Sequence, residues 1–145
     1  MRPAFFLTAF LVMCLAVRVF DARAATEEFR IIVHPDNPVT EVGAELLRSA
    51  YLKRSGAWPG GATVRPLDLG SRGGVRASFA QRVLRKTPAQ LRSYWNQRIF
   101  SGKGTPPPQV DTAAEAIAFV LSQPGGVAYI PVGVDPGGAK IIELR

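Results

Sequence analysis

Short apolar runs alternate along this chain with apolar stripes at helical spacing, and clusters of proline and glycine separate them. Phe29–Val33 (FRIIV) is rich in β-branched residues and ends at a Pro/Asn/Asp cluster, which predicts a buried strand followed by a loop. Ala62–Leu69, Val127–Pro131 and Lys140–Leu144 predict three further strands, and Pro66 makes the first of these an edge or imperfect strand. The order β-α-β-α-α-α-β-β, without internal repeats, predicts a single α/β domain built in layers.

The helices between these strands have recognisable beginnings and apolar faces. Thr40 is the predicted N-cap of the first helix. Thr87 and Thr112 each begin a capping box, closed by Gln90 and Glu115. Ser101–Gln109 contains three consecutive prolines, which predicts a stiff loop. The inward-facing residues of the two helices between the glycine-rich segment 70–74 and that loop are predicted from their spacing to be Val75, Phe79, Val83, Leu91, Trp95 and Ile99.

The beginning of the chain has the anatomy of a signal peptide. Arg2 precedes an apolar run of 13 residues, Ala4–Ala16, and Ala22-Arg23-Ala24 offers small residues for cleavage. The run is too short for a transmembrane anchor, which needs about 20 apolar residues. A lipoprotein is the lesser alternative, because a large methionine precedes Cys14. We therefore expect residues 1–24 to be removed, residues 25–145 to form the domain, and the protein to be periplasmic or secreted.

Cleavage changes what the composition permits. It leaves 121 of the 145 residues, lowers the formal net charge from +7 to +5 and removes Cys14, the only cysteine. One histidine, His34, remains, so neither a zinc finger nor a thiol enzyme can be built from this chain. The basic balance favours anionic partners. In an exported protein we expect these to be small anions or envelope components, with no nucleic-acid partner and no integral membrane segment.

The segment Gly70–Phe79 (GSRGGVRASF) is the strongest candidate for a binding site. A glycine-rich turn there leaves a strand and enters a helix, whose first N–H groups lack intrahelical partners and carry partial positive charge. Glycine lets the backbone approach an anion closely. The candidate site residues are Ser71, Arg72, Gly73, Gly74, Val75 and Arg76.

Arg72 and Arg76 stand against the helix dipole, a conflict that a bound oxyanion would relieve. The alternative interpretation is two solvated arginines beside an ordinary turn. The Lys-Ser/Thr ending of a P-loop is missing. The scattered aspartates suggest no carboxylate pair, and we expect no metal, cofactor or catalytic residue.

Four segments in this order resemble the substrate-binding proteins of phosphate ABC transporters. Ile31–Pro38 resembles the strand and NPDNP loop of that family, and Trp58–Gly61 resembles its WPDG turn. Arg76–Phe79 is similar to the family's TRxxF helix entry, and Gln123–Pro131 is similar to its TPGAIGYV turn and strand. The resemblance implies a reduced, type II periplasmic-binding-protein-like fold, in which a three-layer α/β/α sheet has helices on both faces.

The resemblance also implies a ligand, with departures. In the family, a serine and a threonine of the anion loop bind phosphate through their hydroxyls, but Gly73 and Val75 stand at those places here. Only Gly74 and Arg76 keep the family's residues. Each lost hydrogen bond to a charged group is worth about 1.5–3 kcal/mol. The segment that supplies much of the family's first lobe also has no counterpart in this sequence.

The residues and the resemblance together predict a non-enzymatic, exported protein that binds inorganic phosphate or a related oxyanion. Its partner would be an ABC transporter permease or another envelope protein. The alternative is an accessory interaction module that keeps the fold but no longer binds phosphate. A phosphoester hydrolase is the weakest of the three possibilities, because the sequence contains no visible nucleophile–base pair or metal cluster.

Overall fold

The structure is a computed structural model and describes residues 27–54, 56–70 and 74–145. The predicted signal peptide, residues 1–24, lies outside these ranges. The strands are β1 (Phe29–Val33), β2 (Glu41–Val42), β3 (Arg65–Pro66), β4 (Asp68–Leu69), β5 (Gln109–Val110), β6 (Gly126–Pro131) and β7 (Lys140–Leu144). The helices are α1 (Ala44–Tyr51), α2 (Gly74–Phe79), α3 (Pro88–Phe100) and α4 (Ala113–Ser122), and a π-helical turn, Ala80–Leu84, continues α2.

Five strands form a mixed sheet in the order β2-β7-β1-β6-β3. The central strand β1 is antiparallel to β6 on one side and to β7 on the other, with Ile31 opposite both Tyr129 and Ile142. The edge strands β2 and β3 run parallel to their neighbours. A separate parallel pair, β4 and β5, carries the chain into and out of the helical region around α2 and α3. Pro66 lies in an edge strand as predicted, because an edge position leaves its missing N–H without consequence.

Helices cover both faces of the sheet, which gives three layers. Phe29 and Tyr129 contact Phe79 of α2 on one face. Alternate residues of the same strands, Ile32 and Ala128, point to the other face, where α4 packs against β1 and β6. Ile32, Val127 and Tyr129 are fully buried, because both faces of β1 and β6 are covered. The predicted α/β/α architecture is therefore confirmed.

Both predicted capping boxes are present. The side chain of Thr87 accepts from the N–H of Gln90 at 3.2 Å, and Gln90 accepts from the N–H of Thr87 at 2.9 Å. Thr112 and Glu115 make the same reciprocal pair at the start of α4. Local hydrogen bonds of this kind depend on residues three apart in the chain, so the sequence is enough to predict them.

Three predictions about the elements were wrong. Thr40 is not an N-cap: Glu41–Val42 pairs with β7 instead, and α1 begins after Gly43. The predicted strand Ala62–Leu69 is instead two short strands, β3 and β4. The predicted loop Ser101–Gln109 ends one residue earlier, because Gln109 begins β5. In the first case a tertiary partner took the backbone groups of Thr40 and Val42, which accept from Glu143 and Arg145 at 2.9 Å each.

The predicted packing of the helices after the glycine-rich segment is correct except at its end. Val75, Phe79 and Val83 are buried, as are Leu91 and Trp95 of α3. Ile99 was predicted to face inward but is 51% exposed. Ile99 lies on the same side of α3 as Leu91 and Trp95, but it lines an open cavity, so its side chain stays accessible to solvent. In the described part of the chain, no helix is long and apolar enough to cross a membrane.

Candidate functional site

The predicted site lies where β4 leads towards α2. Gly74 is the first residue of α2, and Arg76 is the third. Val75 is 1% exposed and its side chain packs in the core, so only its backbone could contact an anion. Ser71, Arg72 and Gly73 lie outside the described residues. Within the described part of the site, Arg76 is thus the residue whose side chain can bind a charged group.

Arg76 forms an ion pair with Asp68 of β4. Its Nε and Nη2 both donate to Oδ2 of Asp68, at 3.0 and 2.8 Å. The Asp68 side chain is 16% exposed and the Arg76 side chain 41%. Burial on its own lowers the pKa of Arg76, but the hydrogen bonds and negative charge of Asp68 outweigh burial and raise it. The carboxylate of Asp68 therefore offsets the unfavourable interaction between Arg76 and the helix dipole. A bound anion is not needed to explain a cation at this position.

Tyr129 of β6 holds the second oxygen of the same carboxylate. Its hydroxyl donates to Oδ1 of Asp68 and accepts from the N–H of Leu69 at 3.3 Å. The ring is fully buried and stacks on Phe79, with centroids 4.0 Å apart and planes 9° from parallel. Burial raises the pKa of Tyr129, and the charge of Asp68 raises it further, so the phenol stays neutral and donates. Both oxygens of Asp68 are occupied, which fixes the guanidinium of Arg76 in one orientation.

The Arg76 side chain borders a cavity of about 610 Å³ between α2, α3 and the proline-rich loop. Trp95 and Leu91 form part of its apolar wall, and Pro106 and Pro107 come from the loop. The hydrogen bonds from Arg76 to Asp68 use Nε and Nη2. An oxyanion in the cavity that contacted Nη1 would receive a charge-assisted hydrogen bond.

Sequence reasoning missed two members of this group, Asp68 and Tyr129. Asp68 was one of several scattered aspartates, and Tyr129 belonged to an apolar strand. A signal for the first was present: an acidic residue at the end of a strand, followed eight positions later by an arginine in the first turn of a helix. No local signal links Tyr129 to Asp68, because 61 residues separate them.

Three of the segments that carry the family resemblance converge at a second, smaller place. Asn37, Trp58 and Pro124 line a cavity of about 210 Å³. The indole N–H of Trp58 donates to the carbonyl of Gly125 at 3.1 Å, which joins two of these segments directly. Nδ1 of His34 accepts from the N–H of Asp36 at 3.1 Å and caps the turn of the third. These motifs thus stabilise the meeting of three loops, away from Arg76.

Among the described residues, no three histidine, cysteine or acidic side chains come together. The charged groups in the described part of the candidate site are the carboxylate of Asp68 and the guanidinium of Arg76. Such a set can bind an oxyanion through hydrogen bonds and charge. It offers no obvious nucleophile and base within reach of each other.

The fold is a reduced form of that of periplasmic binding proteins. Solved structures with the same fold include an ABC-type phosphate transport receptor from Vibrio cholerae, at a TM-score of 0.60 and 18% identity over 81% of this chain and 46% of that one. A putative phosphate ABC transporter substrate-binding protein from Clostridium perfringens, with bound phosphate, has a TM-score of 0.60 and 17% identity over 81% and 45% of the two chains. PstS from Borrelia burgdorferi has a TM-score of 0.61 and 15% identity over 82% and 47%.

These similarities concern the fold. The chain spans about half the length of the receptors that it matches. No protein-family model matches the sequence, and no curated protein matches it. Neither the ligand nor the partner of those receptors passes to this chain through the fold alone.

Proposed function

We propose that this chain is an exported, non-enzymatic protein that binds inorganic phosphate or a related oxyanion at the start of α2. Arg76 would bind the anion, with backbone N–H groups of the segment Ser71–Val75 as further donors. Residues 25–145 would be the binding domain, delivered by a signal peptide at residues 1–24. The partner would be an ABC transporter permease or another envelope protein.

The observation that carries the proposal is the immobilised, half-exposed guanidinium of Arg76 beside an open cavity. An arginine on a flexible side chain loses conformational entropy when it binds a ligand. The two hydrogen bonds from Arg76 to Asp68, and the one from Tyr129 behind them, have already ordered this side chain. The fold shared with phosphate receptors and the net positive charge support the same conclusion.

Titration calorimetry of inorganic phosphate into the mature protein tests the proposal. Micromolar binding is expected, and no heat up to millimolar phosphate would contradict it. Arg76→Ala is expected to weaken binding by about 1.5–3 kcal/mol, the contribution of a hydrogen bond between charged groups, or roughly 10- to 150-fold.

Arg82→Ala is the matched control. Arg82 lies in the π-helical turn that continues α2, its side chain is 46% exposed, and it pairs with Glu28 at 3.0 Å. Both substitutions remove one cation from one ion pair on the same helical run. If the two variants lose affinity equally, the attraction comes from the overall charge, and Arg76 does not form a site.

Export has its own measurement. Mass spectrometry of the protein recovered from the periplasm or medium is expected to show an N-terminus at or near Ala25. An intact Met1 in a membrane fraction would contradict cleavage. This result is independent of ligand binding, so each half of the proposal can fail separately.

One observation favours the interaction module as a second candidate. Phe100, the last residue of α3, is 91% exposed. Large aromatic side chains are enriched at the centres of protein interfaces. If phosphate gives no heat but Phe100→Ala abolishes co-purification with an envelope protein, the interaction module is the better description.

A further inference from the structure

The cavity beside Arg76 is much larger than an inorganic oxyanion needs. Its volume of about 610 Å³ falls within the range of about 300–1,000 Å³ in which proteins hold organic ligands. Phosphate bound to Arg76 would occupy a small part of this space. Water would fill the remainder, although much of the wall is apolar. The dimensions therefore indicate a ligand with more than an anionic group.

One face of α3 forms a long wall of this cavity. Leu91, Arg92, Trp95, Asn96 and Ile99 line it, at intervals of three and four residues that place them on one side of a helix. At a rise of 1.5 Å per residue, Arg92 and Ile99, seven positions apart, are separated by roughly 10 Å along the helix axis. The wall thus changes along its length from a cationic residue to an apolar one.

The apolar part is built from side chains with little freedom. Leu91 and Trp95 are 7% and 8% exposed, so neighbouring residues hold them in place. Pro106 and Pro107 of the loop also line the cavity, and proline cannot rotate about its N–Cα bond. Ile99, which is 51% exposed, stands at the far end. An apolar group bound here would be removed from water, and the wall would lose little conformational entropy because its side chains are already held in place.

The polar part is positively charged. Arg76 and Arg92 both line the cavity, and Asp68 is the acidic residue in its wall. Both oxygens of Asp68 are already held by Arg76 and Tyr129. One positive charge is therefore in excess, and the amides of Asn96 and Gln109 add neutral hydrogen-bond donors.

We propose that this cavity binds an organic oxyanion, with its anionic group at Arg76 and Arg92 and its apolar body against Trp95 and Ile99. The proposal rests on anion capture at Arg76 and specifies the ligand class for that site. A phosphate or carboxylate group joined to an aromatic or branched aliphatic body satisfies both parts of the wall. Inorganic phosphate would satisfy only the first.

Calorimetric titration with phenyl phosphate, methyl phosphate and inorganic phosphate tests this ligand class. Phenyl phosphate is expected to bind at least about tenfold more tightly than methyl phosphate, because only its ring reaches the apolar wall. Ile99→Ala is expected to reduce that preference by about three- to tenfold, because the ring loses part of its apolar contact. Ile141→Ala, a substitution of an isoleucine that is 43% exposed on β7, is the control and should change neither affinity.

Fluorescence gives a second measurement with the same ligands. The chain has two tryptophans, and Trp95 lines this cavity while Trp58 lines the smaller one. Phenyl phosphate is expected to change the emission of Trp58→Phe, which retains Trp95, and to leave that of Trp95→Phe unaltered. A change that persists in Trp95→Phe would overturn the placement of the ring.

The outcomes separate this inference from the proposed function. Equal affinity for phenyl and methyl phosphate, both dependent on Arg76, would refute the organic ligand and keep oxyanion capture. Binding of phenyl phosphate alone would support the inference and refute inorganic phosphate as the ligand. If none of the three compounds binds at millimolar concentration, both proposals are wrong.

Discussion

Tyr129→Phe removes one oxygen atom from the centre of the protein and leaves the ring in place. The phenol donates to the carboxylate of Asp68 and accepts from the N–H of Leu69 at 3.3 Å. A hydrogen bond to a charged group contributes about 1.5–3 kcal/mol, and a neutral one about 0.5–1.5 kcal/mol. The stack on Phe79 is retained. We therefore expect the variant to lose about 2–4 kcal/mol of unfolding free energy.

Urea denaturation of the mature protein measures this loss, with the slope of unfolding free energy against urea expected to stay constant. Tyr94→Phe is the control, since its hydroxyl donates at 2.8 Å to the neutral carbonyl of Leu52 and its side chain is only half-buried. That substitution is expected to cost about 0.5–1.5 kcal/mol. The difference between the two variants isolates the effect of a charged acceptor.

A double-mutant cycle identifies the partner. Asp68→Asn and Tyr129→Phe should show a coupling of about 1 kcal/mol or more, because the two side chains are in direct contact. If Tyr129→Phe costs no more than Tyr94→Phe, or if the coupling is near zero, the charged hydrogen bond does not stabilise this network. Arg76 would then not be held in the orientation on which the proposed site depends.

Phe79→Ala should lower the free energy of unfolding by about 3–5 kcal/mol in the same assay, because the ring is 1% exposed. Phe100 is 91% exposed, so Phe100→Ala should be nearly neutral. Similar losses in the two variants would show that the assigned face of α2 is wrong. Gly125→Ala should destabilise the protein by roughly 1–3 kcal/mol, because an added Cβ would lie 2.2 Å from a backbone oxygen. Gly133 has open space around it, so Gly133→Ala is the control, and an equal loss in that variant would refute this explanation. The free energy of unfolding should also fall above pH 10. Burial raises the folded-state pKa of Tyr51 and of Tyr129 above the unfolded value of 10.0. Their contribution to stability is therefore present below that pH and is lost above it, at about 1.4 kcal/mol per pH unit for each tyrosine. A rise in absorbance at 295 nm, the signal of tyrosine ionisation, before the protein unfolds would contradict this pH prediction.

Local chemistry was sufficient to predict many of the elements. The capping boxes at Thr87 and Thr112 depend on side chains three residues apart, and both are present. The strand Phe29–Val33 follows from a β-branched run with a clear end. The inward face of α2 follows from helical spacing. In each case the residues that decide the structure lie within a few positions of each other, so the sequence contains the whole cause.

Distant partners decided the rest. Val42 is in a strand because it pairs with β7, about 100 residues later in the chain. No residue near Thr40 indicates this pairing. Ile99 is exposed because the side of α3 that it shares with Trp95 borders an open cavity there. The candidate site has the same division: the glycine-rich turn and Arg76 stand out in the sequence, whereas the ion pair with Asp68 and its support from Tyr129 required the folded chain. Hydrogen bonds between residues 61 positions apart depend on how the layers pack, and packing is a property of the whole core.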